Sequence, residues 1–173
     1  VPVAYVAVGI ARLLSADAND GEAVGETASG IAADDRALLR SFYIQRGFTP
    51  AWVDGNGLHG RAAIMFAAFA GAEDDGLDPA DYLPASMPTT PLATAGEMAR
   101  LDVDLSASLL RFARHLRLGK LDPERLDVNG QMVRKTFDAA TVLSEAVRAG
   151  DLGAHLFALI PSNPSYNGLR RSL

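Results

Sequence analysis

The stretch from about Ala95 to Leu118 constrains the fold more than any other part of the chain. Met98, Leu101, Leu105, Leu109, Phe112 and Leu116 recur at helical spacing, while Arg100, Asp104, Arg111, Arg114 and Arg117 fall on other faces. This is the expected central helix, and Gly119 ends it.

Shorter helices are expected to surround it. Asp34 or Asp35 can cap one carrying Leu38, Leu39, Phe42 and Tyr43, stopped by Gly47. Phe48 to Val53 is short, aromatic and interrupted by Pro50, which predicts an extended connection that plugs the core with Trp52. After a turn at Asp54-Gly55-Asn56-Gly57, a second helix is expected from about Leu58 to Glu73, with Leu58, Ala62, Met65 or Phe66, and Phe69 inward. Asp78 and Pro79 form a cap followed by a proline at the first helical position, and Leu121-Asp122-Pro123 repeats that device. Asp138 should open a helix burying Val142, Leu143, Ala146 and Val147, closed by Gly150. Asp151 should cap the next, with Leu152, His155, Leu156 and Leu159 on one face, and Tyr166 to Leu173 reads as a final short helix. The expected fold class is all-α, a compact bundle of about six helices joined by Asp-Pro and Gly loops.

Composition removes several functions. In 173 residues there is no cysteine, so disulfides, thiolate metal sites and a cysteine nucleophile are excluded for this chain. A formal charge of -5 leaves no basic surplus for a phosphate backbone, which argues against nucleic acid as a partner. His59, His115 and His155 are scattered singly, so no metal site is expected.

The remaining motifs are weak. Gly55-Asn56-Gly57-Leu58-His59-Gly60 fits a dinucleotide fingerprint, but helices and a proline-rich loop follow where a βαβ unit is required, so no cofactor is expected. The acid groups Asp34 with Asp35, and Glu73, Asp74 with Asp75, read as solvated helix ends rather than a general acid and base. His59 belongs to a wet loop, and His155 reads as a hydrogen-bonded core residue. Arg111, Arg114, His115, Arg117 and Lys120 form the densest basic cluster, either a face for anionic groups or cations placed at a helix C-terminus.

The first residues, Val1 to Ala18, are an apolar run broken by Arg12. They read either as an export-signal remnant or as a buried strand or helix, and are too short for a membrane span. Asn19 to Gly30 reads as a flexible linker, giving a division into residues 1–30 and a helical domain over 31–173.

The string Ser41-Phe42-Tyr43-Ile44-Gln45-Arg46-Gly47-Phe48-Thr49-Pro50-Ala51-Trp52-Val53-Asp54 resembles the opening of the scaffold domain of the large periplasmic murein L,D-transpeptidases. Gly76-Leu77-Asp78-Pro79-Ala80-Asp81-Tyr82 resembles its second signature, and Leu101 to Arg114 with Leu116 to Pro123 its third. Pro161 to Arg170 resembles its closing segment, so ordered matches run from Ser41 to Leu173. The resemblance implies a bacterial cell-envelope protein of the periplasm, in a family that cross-links peptidoglycan stems between diaminopimelate residues through a cysteine acyl-enzyme and is inhibited by carbapenems. In that family the cysteine belongs to a separate catalytic domain beyond the scaffold and a small peptidoglycan-binding module, and no catalytic residue carries over to this chain. The implied role is non-catalytic: a scaffold region that positions catalytic and wall-binding modules. The other reading is a stand-alone periplasmic adaptor binding peptidoglycan or a cell-wall enzyme. Tyr43, Trp52 and Tyr82, if exposed, and Arg111, Arg114 and Arg117 are the candidate glycan or partner contacts.

Overall fold

The computed structural model describes residues 1–15, 31, 33–84, 94–120 and 137–161. Six α-helices occur among the described residues: α1 (Val3–Ser15), α2 (Ala33–Gln45), α3 (Gly60–Ala70), α4 (Ala95–Leu118), α5 (Ala139–Arg148) and α6 (Leu152–Phe157). A two-stranded antiparallel ribbon, β1 (Val53–Asp54) with β2 (Gly57–Leu58), and two 3₁₀ turns at Gly71–Asp75 and Pro79–Asp81 complete the all-α architecture.

The sequence dictates α4 at both ends and along its length. Thr94 and Glu97 form a reciprocal capping box at its start. Gly119, at φ 89°, takes the chain out of its last turn. From Met98 to Ala113 the helix is buried on nearly every side, as a central helix should be. Helices α1, α2 and α5 contact it directly, and α3 joins it and α6.

Of strand and helix, the apolar start takes the helical form, α1. Val6, Ile10 and Leu14 repeat at four-residue intervals, and burying each aliphatic side chain contributes roughly 1.5–3 kcal/mol. Strand-like alternation of Val1, Val3 and Tyr5 does not survive, because Val3 and Tyr5 stay exposed once the helical stripe is satisfied. Gly9 allows the close crossing, since a Cβ there would stand 2.7 Å from the Cβ of Ala99 on α4. Residues 3–15 therefore share one core with the rest of the chain rather than standing apart. Among the described residues no helix is long and apolar enough to cross a membrane.

Several local expectations need correction. Asp34 and Asp35 lie inside the first turn of α2 rather than capping it, and Asp35 is buried against Arg114. Leu58 belongs to β2 and is exposed, so α3 starts later, with His59 as its cap. The glycine-rich fingerprint forms the turn and second strand of the antiparallel ribbon, with no parallel strand beside it among the described residues. Asp78, Asp138 and Asp151 do cap the turns assigned to them. The linker, the second Asp-Pro device and the final short helix lie outside the described residues.

Candidate functional site

The polar centre of the molecule is a carboxylate and a hydroxyl one turn apart on α4. Asp102 and Ser106 share a face of a helix that is otherwise apolar there, and both are fully shielded from solvent. A buried carboxylate persists only with its oxygens hydrogen-bonded, and this one collects donors from segments about fifty residues upstream. Its Oδ2 accepts the amides of Ala51, Trp52 and Val53 at 3.0, 2.7 and 3.0 Å. Its Oδ1 accepts the phenol of Tyr43 at 2.6 Å. The indole Nε1 of Trp52 donates to Ser106 Oγ at 2.8 Å. Tyr43 has one proton, and the short contact to Asp102 claims it, so the Ser106 hydroxyl donates to the phenol oxygen at 2.7 Å. Burial pushes the Tyr43 phenol well above its usual range, reinforced by the Asp102 charge. Burial also raises the Asp102 carboxyl, against the pull of its four donors.

Local geometry delivers those amides. After α2 the chain reverses through Gly47 and Phe48, both at positive φ (57° and 58°), with the Phe48 amide donating to the Tyr43 carbonyl at 2.7 Å. Arg46 bonds the carbonyls of Thr49 and Pro50 and lies over the Phe42 ring. Three successive amides are thereby turned toward Asp102.

Farther along α4 a second set of contacts fixes the Asp-Pro turn. The Tyr82 hydroxyl and His115 Nδ1 share a hydrogen bond at 2.7 Å, and the Tyr82 ring meets Phe69 and Phe112. Burial raises the Tyr82 phenol to about 12. Burial also lowers His115 below its ordinary value, which favours the neutral imidazole. Arg111 donates to the Asp81 carbonyl at 2.7 Å, and Lys120 pairs with the Asp81 carboxylate at 2.6 Å. The Lys120 hydrogen bond holds Asp81 below the usual carboxylate range, and Asp81 in turn raises Lys120. Arg114 forms a bidentate pair with Asp35 and lies 5.7 Å from the centre of the Phe137 ring.

The candidate contacts are thus redistributed. Tyr43, Trp52 and Tyr82 have no exposed surface, so none can meet a glycan or partner in this conformation, because each hydroxyl or indole is consumed inside the core. Arg111 and Arg114 are spent on neighbouring turns rather than presented as a cationic face. Arg117 remains exposed, at the rim of a cleft of about 310 Å³ between α4, α5 and α6. His155 is half-buried on the wall of that cleft, not hydrogen-bonded in the core, and its Nε2 has no partner among the described residues.

The model of one family, Scaffold domain, matches residues 37–173. The chain belongs to the Scaffold domain family. Comparison with curated proteins and with solved structures returned no match. Within this Scaffold domain the strings that carry the resemblance have a common physical use: Tyr43, Trp52 and Tyr82 each bond to a residue of α4. Helix α1 precedes the matched span yet packs on its central helix.

Proposed function

We propose that this chain is the non-catalytic scaffold region of a peptidoglycan-remodelling L,D-transpeptidase of the periplasm, holding a wall-binding module and a cysteine catalytic domain in fixed relative position. The observation that carries the reading is the Scaffold domain match over residues 37–173. Two further features support it. The motif residues are committed to internal bonds around α4, which favours a stiff body over a reactive site. A chain without cysteine cannot supply the cysteine acyl-enzyme of that family, which favours a geometric contribution to such an enzyme.

The test is the mass of the native polypeptide in its source cells, detected with an antibody against this domain. A band well above 18.2 kDa that carries a cysteine-bearing part is expected. A band near 18.2 kDa, together with saturable binding of the domain to purified sacculi, replaces this reading with the stand-alone adaptor.

A further inference from the structure

A second groove, of about 320 Å³, runs between α3 and α6. Phe112 and Leu156 are buried in its lining, while Ile64 on α3 and Phe157 on α6 leave 40% and 68% of their surface exposed along it. Apolar residues exposed singly are ordinary, but two lining one apolar hollow mark a docking surface. The charged residues of this lining, among the described residues, are both acids, Asp74 and Asp75, in the turn that follows α3. Each has contacts of its own, so only their common sign matters for what the groove attracts.

Ile160, which lines the groove, stands two positions before Ser162, and residues 162–173 have the complementary composition. They hold two cations, Arg170 and Arg171, and no acid. On the short helix expected from Tyr166, Leu169 and Leu173 follow at the third and seventh positions and make one apolar stripe, with both arginines to the same side of it. We propose that residues 162–173 dock in this groove, with Tyr166, Leu169 and Leu173 against Ile64, Leu156 and Phe157 and the two arginines beside Asp74 and Asp75. The chain from Ile160 to Tyr166 reaches at most about 20 Å, so the segment meets the groove at an effective concentration on the order of millimolar, and a contact too weak to hold two molecules together suffices. On the scaffold reading the same seat fixes the direction in which a following module departs, but the docking itself does not depend on that reading.

The chain has no cysteine, so Ser172→Cys gives the full chain a single site for a nitroxide label. The label should broaden the methyl signals of Ile64 strongly, and those of Val8 and Ile44, exposed on α1 and α2, far less. Tyr166→Ala with Leu169→Ala removes two apolar anchors and should weaken docking about a hundredfold, bringing Ile64 down to the level of the two controls. Arg170→Glu with Arg171→Glu should reduce the broadening at Ile64 as well, and adding Asp74→Arg with Asp75→Arg should restore it. Should the Asp74 and Asp75 changes unfold the chain, the two segment variants decide alone, because their substitutions lie outside the described residues. Broadening at Ile64 no greater than at Ile44, or broadening that persists in both segment variants, or a folded charge swap that restores nothing, overturns the proposal.

Discussion

Asp102 holds Trp52 by its backbone amide at 2.7 Å, and the same α4 face holds the Trp52 indole through Ser106 at 2.8 Å. A residue gripped at both main chain and side chain has no freedom left to act as a surface contact. The only tryptophan of the chain thus reports directly on the state of α4.

Replacing Asp102 with Ala strands the amides of Ala51, Trp52 and Val53 and the Tyr43 phenol in a dry interior. A loss of about 3–5 kcal/mol is expected, the range for removing one partner of a buried charged network. Urea unfolding followed by Trp52 fluorescence measures it. An effect below about 1 kcal/mol would show that water replaces the carboxylate.

Tyr43→Phe removes the bonds to Asp102 and Ser106, and Ser106→Ala those to Tyr43 and the Trp52 indole, at about 1–2 kcal/mol per variant. Because the two side chains touch, the double variant should deviate from additivity by about 0.5–3 kcal/mol. A double-mutant cycle on equilibrium unfolding decides between a coupled network and independent contacts.

Gly9→Ala puts a methyl group 2.7 Å from the Cβ of Ala99, an overlap that backbone movement has to relieve. The expected cost is about 1–3 kcal/mol. Ala99→Gly in the same chain should recover part of it, whereas a glycine at 99 alone destabilises by roughly 0.5–1 kcal/mol. Thermal unfolding of the three variants provides the comparison.

His115 has a folded-state pKa below its ordinary value of about 6.5, chiefly through burial, with Lys120, Arg111 and Arg114 pushing the same way and Asp81 opposing. Below about 6.5 the unfolded chain takes up the proton first, so stability is full above that pH and declines as pH falls through the folded pKa. Unfolding measured across that acid range should show this decline in the native chain and a smaller one in His115→Gln. Equal slopes would remove His115 as the source.

At the alkaline end the sign reverses in pH but not in logic. Tyr82 holds its proton to about 12 when folded, against about 10 unfolded, and Tyr43 is raised as well. Their contribution is complete below about 10 and is lost as pH rises through about 12. Ultraviolet titration should therefore show Tyr43 and Tyr82 ionising late, in step with loss of helical signal.

Much of this architecture is legible in the residues. The stripe from Met98 to Leu116 marks α4, the Asp caps mark the turns, and the aromatic, proline-broken segment at Trp52 marks a core plug. What periodicity cannot supply is the partner of a polar residue. Asp102 sits beside Leu101 and Val103 as an apparent break in the apolar pattern, and only its spacing of four from Ser106 hints at a shared inward face. The Asp35–Arg114 pair spans 79 residues, and the cleft draws Arg117, Glu145 and His155 from three helices, so neither leaves a local trace. Helix α1 was ambiguous because valine and isoleucine suit either periodicity, and only the groove beside Ala99 decides.

The bonds from α2 and the Trp52 segment to Asp102 and Ser106 close loops of 49 to 63 residues. Such closures cost chain entropy before any contact repays it, so they come late in folding even though α4, capped at Thr94 and finished at Gly119, can form early from local contacts. A refolding chain would therefore present a finished α4 to solvent with its carboxylate still hydrated. Final arrival of the indole is then the step that expels that water and commits the molecule to its native state.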